Sequence, residues 1–288
     1  MIAWTFEPAA LGELPPGVQL APEPGPEVEF IVPDWLHLPD LDELPALRVV
    51  QVLSAGVDWI ADRLPDGVIL CSARGARDRA MAEWVVGAIL ADAKQARACA
   101  ELQARRDWEP VKVQDASGLR VLVLGYGAIG REVAKLLDPF DCDVVGVARR
   151  ARDGVHGMDA LPELLPTADV VVNLLPLTDQ TRNAFAAREL AAMRDGGLYV
   201  NAGRGATTDT GALVAALHEG RIRAVLDVVD PEPLPTDHPL WKAPNVMISP
   251  HSAGDTPAAE RAAWALAAAQ LRRYAAGEPL HNVVSDGY

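Results

Sequence analysis

Three short strings in the last third of the chain hold the residues best suited to chemistry: an arginine in NAGRG (201–205), a glutamate in DVVDPEP (227–233) and a histidine in SPHSAG (249–254). Arg204, in a glycine-flexible loop, can grip a carboxylate with two parallel hydrogen bonds and lean on an adjacent carbonyl oxygen. His251 titrates near neutrality and is the natural acid for a carbonyl being reduced. Glu232, between Pro231 and Pro233, can orient an imidazole and favour its protonated form. Singly these are a surface cation, a solvated loop acid and a helix-approach residue. Each string, however, follows an apolar, strand-like run, and residues at the ends of successive parallel strands gather at one edge of a sheet. As a set they describe hydride transfer to or from a small carbonyl or alcohol that bears a carboxylate.

A hydride needs a carrier. VLVLGYGAIG (121–130) runs from a strand through Gly125, Tyr126, Gly127, Ala128, Ile129 and Gly130 into a helix. The glycines serve a tight turn, close backbone approach to a pyrophosphate and close helix–strand packing, and the helix N-terminus offers N–H donors to phosphate. A lone GxGxxG is weak evidence; the strand–turn–helix context strengthens it. About 20 residues on, an acid would grip the 2′-hydroxyl of NAD. Here the chain reads Val147-Ala148-Arg149-Arg150-Ala151-Arg152. Arginines in place of the acid can pair with a 2′-phosphate, so NADP(H) is expected as the preferred cofactor, with NAD(H) possible. The plain alternative is a solvated basic turn.

The positioning elements are short apolar runs alternating with helix-period segments. Strands are predicted at 2–6, 28–32, 48–53, 68–71, 120–124, 143–148, 170–174, 198–201, 223–227 and 246–249, mostly continuous and β-branched, as in a parallel sheet covered on both faces. Helices are predicted at 77–105, 129–137, 187–193, 209–219 and 257–274. Thr208 or Asp209 caps the fourth, Gly220 ends it, and Pro257 after Thr256 opens the last. Alternating strands and helices give the α/β class. The final helix has no strand after it and is expected to pack back onto the first domain, making that domain discontinuous.

Composition narrows the partners. The 288 residues are 50% hydrophobic and carry a net charge of −14, which argues against general nucleic-acid or anionic-membrane binding. Cys71, Cys99 and Cys142 show no CxxC spacing and read as small apolar fillers in a reduced, cytoplasmic setting. No signal peptide, no membrane span and no metal site is expected.

The chain resembles the D-isomer-specific 2-hydroxyacid dehydrogenases over nearly its whole length. The resemblance rests on Ser54-Ala55-Gly56-Val57-Asp58, Gly125–Gly130, Leu175-Pro176-Leu177-Thr178 through Thr181, Asn201–Gly205, Asp227–Pro235 and Ser249–Gly254. It implies two doubly wound parallel-sheet domains: a Rossmann-type NAD(P)-binding domain over 91–253 and a discontinuous, flavodoxin-like substrate domain over 1–90 plus 254–288. It also implies that Arg204 binds the substrate carboxylate and carbonyl, that His251 is the general acid/base and that Glu232 supports it. Ala55 and Gly56 N–H groups become a second hold on the carboxylate. Leu175, Pro176, Thr181, Ala202 and Gly203 become cofactor contacts, and Asp227 engages the nicotinamide carboxamide. Family members are commonly homodimers joined through the nucleotide domain.

Glutamate at 232 fits hydroxyacid chemistry rather than formate oxidation, where the family uses glutamine. The chain ends soon after its last helix, so the extra regulatory domain of many phosphoglycerate dehydrogenases is not expected. The arginines at 149 and 150 resemble the NADP-using glyoxylate/hydroxypyruvate reductases. Arg74, Arg77 and Arg79 either favour a second anionic group on the substrate or form a solvated helix start. A non-catalytic dinucleotide-sensing protein on the same fold is the alternative function.

Overall fold

The computed structural model describes residues 1–284. It divides into two compact units, Met1–Asp78 with the chain from Asp255 onward, and Arg79–Gly254.

The first unit holds five parallel strands: β1 (Ile2–Thr5), β2 (Gln19–Leu20), β3 (Phe30–Val32), β4 (Val49–Gln51) and β5 (Ile69–Cys71). Their order, β2-β1-β3-β4-β5, is the flavodoxin-like one. Pro and Gly keep the crossovers short, and they carry 3-10 turns in place of full helices. Alternation along the strands builds two cores. Phe30, Val32 and Val49 face one side, and Ile31, Val50 and Val52 face the other. Burying each such side chain contributes about 2 kcal/mol.

The second unit begins with α1 (Asp78–Ala93), followed by α2 (Ala96–Arg105). The sequence reads as one helix over 77–105, but the structure breaks it. Gln95 turns left-handed at φ 55°, and Ala93 O accepts from Gln114 N (2.8 Å) in place of a helical donor. Ala82, Val85 and Ile89 of α1 pack with Val121 and Val123 of the second sheet. The division between units therefore falls at the head of this helix, not near residue 90.

Next come β6 (Arg120–Leu124), α3 (Ala128–Leu137), β7 (Asp143–Ala148), β8 (Val155–Gly157), α4 (Leu161–Leu164), β9 (Val170–Asn173), α5 (Ala187–Ala192), β10 (Gly197–Asn201), α6 (Thr210–His218), β11 (Ile222–Leu226) and β12 (Val246–Ile248). All seven strands are parallel, in the order β12-β11-β10-β9-β6-β7-β8. The order reverses between β6 and β9, the switch point where ligands bind in such sheets. Asp209 caps α6, its side chain accepting from Ala212 N (3.0 Å).

The chain then returns to the first unit as α7 (Pro257–Ala275), capped by Thr256. Trp264, Ala267, Ala268 and Leu271 pack with Phe30 and Val32. Beyond it, Asn282–Val284 lie antiparallel along β5, through Ser72 N to Asn282 O (3.0 Å) and Val284 N to Leu70 O (2.9 Å). No helix among the described residues is long and apolar enough to cross a membrane. Cys71 is buried and Cys142 half-buried; Cys99 is exposed on α2, so it is no core filler.

Candidate active site

Missing side chains shape the edge where β6, β9, β10 and β11 end. Gly125 has a φ of 84°, and a Cβ there would sit 2.6 Å from Leu174 O. A Cβ on Gly203 would sit 2.6 Å from Leu175 O, and one on Gly205 would collide with Val229 O. Only glycine lets these loops nest backbone to backbone. Gly130 packs closely on Val123 and the Tyr126 ring, whereas a Cβ on Gly127 would meet only Gly125 O, at 3.8 Å. That open face above the start of α3, where the first turn's N–H groups point, fits a pyrophosphate.

The Tyr126 ring lies over Gly146 of β7, where a Cβ would come within 2.5 Å of it. Ala128 and Ile129 form the first turn of α3. Arg149 and Arg150 are exposed just past the end of β7. Arg152, the last arginine of that run, donates to Tyr126 O (2.6 Å) and so ties this basic turn to the glycine loop. The run marks its charge but not this contact, because its partner lies 26 residues away.

The wall beside the cradle is fixed from within. Asn173 Oδ1 accepts from Leu175 N (3.0 Å), and Thr181 Oγ1 donates to Pro176 O (2.6 Å). Ala202 is buried, and Gly203 N donates to Asn201 Oδ1 (3.1 Å). Arg204 follows in extended backbone, its Nη1 donating to Gly203 O (2.9 Å).

His251 and Glu232 meet: Nδ1 lies 2.7 Å from Oε1, with both side chains part-exposed. The hydrogen bond to Glu232 raises the histidine's pKa above its ordinary value. Partial burial and the nearby Arg204 charge pull the other way, and Asp227 adds to the rise. These charges act on one imidazole, so the structure brings Arg204, Glu232, His251 and Asp227 together. His251 adopts a left-handed backbone (φ 53°), which costs about 1 kcal/mol. Asp227 holds it there. Its carbonyl accepts from His251 N (2.8 Å) and its buried carboxylate from Ser249 Oγ (2.6 Å), Ser252 N (2.9 Å) and Ala253 N (2.9 Å). Asp227, which the resemblance implies as a nicotinamide contact, anchors the histidine loop through its carboxylate, a role its place in the sequence did not show.

In the first unit, Ala55 and Gly56 lie past the end of β4 in a turn closed by Ser54 Oγ to Gly56 O (2.6 Å). Arg77 pairs with Asp255 and reaches Leu53 O (3.4 Å). In the second, Arg79 pairs with Glu83 and Glu132. These contacts make Arg77 and Arg79 structural ions.

Residues 86–253 match the model of the family described as D-isomer specific 2-hydroxyacid dehydrogenase, NAD binding domain. The chain belongs to the D-isomer specific 2-hydroxyacid dehydrogenase family. It is accordingly an NAD(P)-dependent oxidoreductase acting on 2-hydroxy and 2-oxo acids. It is 34% identical over 264 residues to a glyoxylate reductase of Aeropyrum pernix, covering 85% of this chain and 78% of that one. Two solved structures of this dehydrogenase family resemble it throughout. One is a D-isomer specific 2-hydroxyacid dehydrogenase from Xanthobacter autotrophicus in complex with NADPH and MES, with TM-score 0.86, 32% identity and coverage of 100% and 99%. The other is an NADPH-dependent glyoxylate/hydroxypyruvate reductase from Sinorhizobium meliloti with NADP and sulfate, with TM-score 0.87, 30% identity and coverage of 100% and 99%.

Proposed function

We propose that this protein reduces small 2-oxo acids of the glyoxylate/hydroxypyruvate type to D-2-hydroxy acids, with NADPH preferred over NADH. The observation that carries this reading is His251, its pKa raised by the hydrogen bond to Glu232, set beside Arg204 at the edge that also bears the glycine cradle.

When bound, the reduced nicotinamide supplies the hydride that adds to the carbonyl carbon. Arg204 binds the substrate carboxylate and stabilises charge developing on the carbonyl oxygen. His251 gives that oxygen its proton from Nε2, since Nδ1 is engaged by Glu232, and ends neutral. Glu232 fixes the imidazole and keeps it protonated before the transfer. Asp227 holds the loop that presents it. Arg149 and Arg150, with Arg152 beside them, meet the 2′-phosphate. The NADPH and NADP in the two similar structures support that preference.

The protein works as a cytoplasmic homodimer joined through the nucleotide-binding unit. The free cysteines support a reducing compartment. The ten-residue α2 buries none of its residues, and Trp108 beyond it is 101% exposed. A helix that short is marginal without a surface to pack on, so Trp108→Glu is expected to yield monomer in sedimentation. A non-catalytic sensor is disfavoured by the reductase relatives and has no use for a histidine whose pKa is raised by a paired carboxylate. Loss of NADPH absorbance with glyoxylate, hydroxypyruvate, pyruvate and phenylpyruvate tests the activity. Turnover fastest with glyoxylate and hydroxypyruvate supports it, and tight NADPH binding with no turnover overturns it.

A further inference from the structure

Beneath the site lies a buried polar network whose side chains are not among those that carry the reaction. β9 and β10 pair in register with Asn173 opposite Asn201. Each asparagine spends its carbonyl on the loop that follows: Asn173 on Leu175 N, Asn201 on Gly203 N. That fixes where their amide protons go. Asn173 Nδ2 donates to Tyr199 Oη (2.8 Å) and Thr207 Oγ1 (2.9 Å). Asn201 Nδ2 donates to Thr208 Oγ1 (3.2 Å) and Arg204 O (3.3 Å). Thr207 Oγ1 donates to the same Arg204 carbonyl (2.6 Å), and Tyr199 Oη and Thr208 Oγ1 share a bond of 2.6 Å.

All five side chains are buried: Tyr199, Asn173 and Thr207 at 0% exposure, Asn201 at 1% and Thr208 at 4%. The Tyr199 ring is stacked on Phe185, with centroids 4.8 Å apart. Burial pushes its phenol up to about 12, so it stays a neutral hydrogen-bonding group near neutral pH. A buried polar network is costly unless every member is satisfied, and when satisfied it specifies one arrangement. Here the arrangement joins the Leu175–Pro176 wall at one end to the backbone of Arg204 at the other.

We propose that Tyr199, Thr207 and Thr208 are positioning residues that lock the Arg204 loop and the Leu175–Pro176 cofactor wall into one fixed relation, so that the substrate grip and the cofactor wall are set together. This rests on the reading of Arg204 as the substrate's carboxylate clamp. Thr207 and Thr208 act on Arg204 through its carbonyl and through Asn201. Tyr199 acts on both ends, since it takes one Asn173 proton and shares the other bond with Thr208.

The test uses the full chain with three substitutions: Tyr199→Phe, Thr207→Val and Thr207→Ser. Steady-state rates with glyoxylate and NADPH fluorescence titration are the readouts. Thr207→Val is expected to raise the KM for glyoxylate about tenfold with the NADPH Kd within about twofold, and Thr207→Ser to restore it. Tyr199→Phe is expected to raise both the KM and the NADPH Kd, because it loosens both ends. Variants that lower Tm while leaving KM and Kd at wild-type values overturn the proposal and make the network packing alone. If Tyr199→Phe does not fold, the Thr207 pair decides by itself. Wild-type enzyme that fails to turn over glyoxylate overturns the functional reading, not this one; amide exchange at Gly203, Arg204 and Leu175 then reads the network directly. Faster exchange in Tyr199→Phe at both loops upholds it, and unchanged exchange defeats it.

Discussion

The two ends of the second sheet are both rich in charge, and they use it oppositely. At the strands' N-terminal end, Arg223 grips Asp92 through Nε and Nη2 at 2.8–3.1 Å, Arg194 pairs with Asp169, and Arg221 pairs with Asp195 at 3.0 Å. Asp169 also accepts from Arg120 N (2.8 Å). Arginine does not release its proton in proteins, so these pairs hold strands and loops without changing state. At the C-terminal end the carboxylate of Glu232 meets an imidazole, a group that exchanges protons near neutrality. Charge alone therefore does not mark the site. A titratable partner left half open to solvent, beside a glycine-lined cradle, does.

Substitutions sharpen that contrast in decreasing order of effect. His251→Asn removes the exchangeable proton, and kcat is expected to fall by about 10²–10⁴-fold while NADPH affinity holds. Survival of activity would move the acid elsewhere. Arg204→Lys keeps a charge but loses the two-pronged grip; kcat/KM for glyoxylate is expected to fall by about 10²–10³-fold. Arg149→Asp puts a carboxylate where the 2′-phosphate binds, and the NADPH/NADH ratio of kcat/KM is expected to drop roughly 10–100-fold. At the opposite end, Arg223→Ala leaves Asp92 unpaired. The expected result is a Tm lower by about 2–8 °C with kcat/KM within about twofold. A large loss of activity there would erase the distinction between the two ends.

Much of this architecture was legible because it is written locally. The glycine loop, the long β-branched strands and the caps at Asp209 and Thr256 depend on neighbours within a few residues. The Arg204, Glu232 and His251 strings stood out because each sits just past a strand. Other features depend on register or on distant partners. β2 and β8, Gln19–Leu20 and Val155–Gly157, are interrupted by Gln19 and His156 and show no continuous apolar run. The break at Gln95 follows from Gln114 reaching back to Ala93 O, which no helix propensity encodes. Arg152 gains meaning only from Tyr126 O, and Tyr199 reads as an ordinary strand aromatic until β9 and β10 are paired. Asp227 was visible as a strand-ending acid, but its three side-chain acceptor bonds to the 249–253 loop were not.

The central claim is that Glu232 keeps His251 protonated for the reduction. The pH dependence of kcat/KM for NADPH-driven glyoxylate reduction tests it most directly, in wild type and Glu232→Gln. A protonated histidine is required, so the rate is lost as pH rises through the His251 pKa, and the hydrogen bond to Glu232 moves that loss to higher pH than an unpaired imidazole would give. Removing the carboxylate lowers the pKa, so the alkaline limb of Glu232→Gln is expected at lower pH than that of wild type. Superimposable limbs would contradict the account.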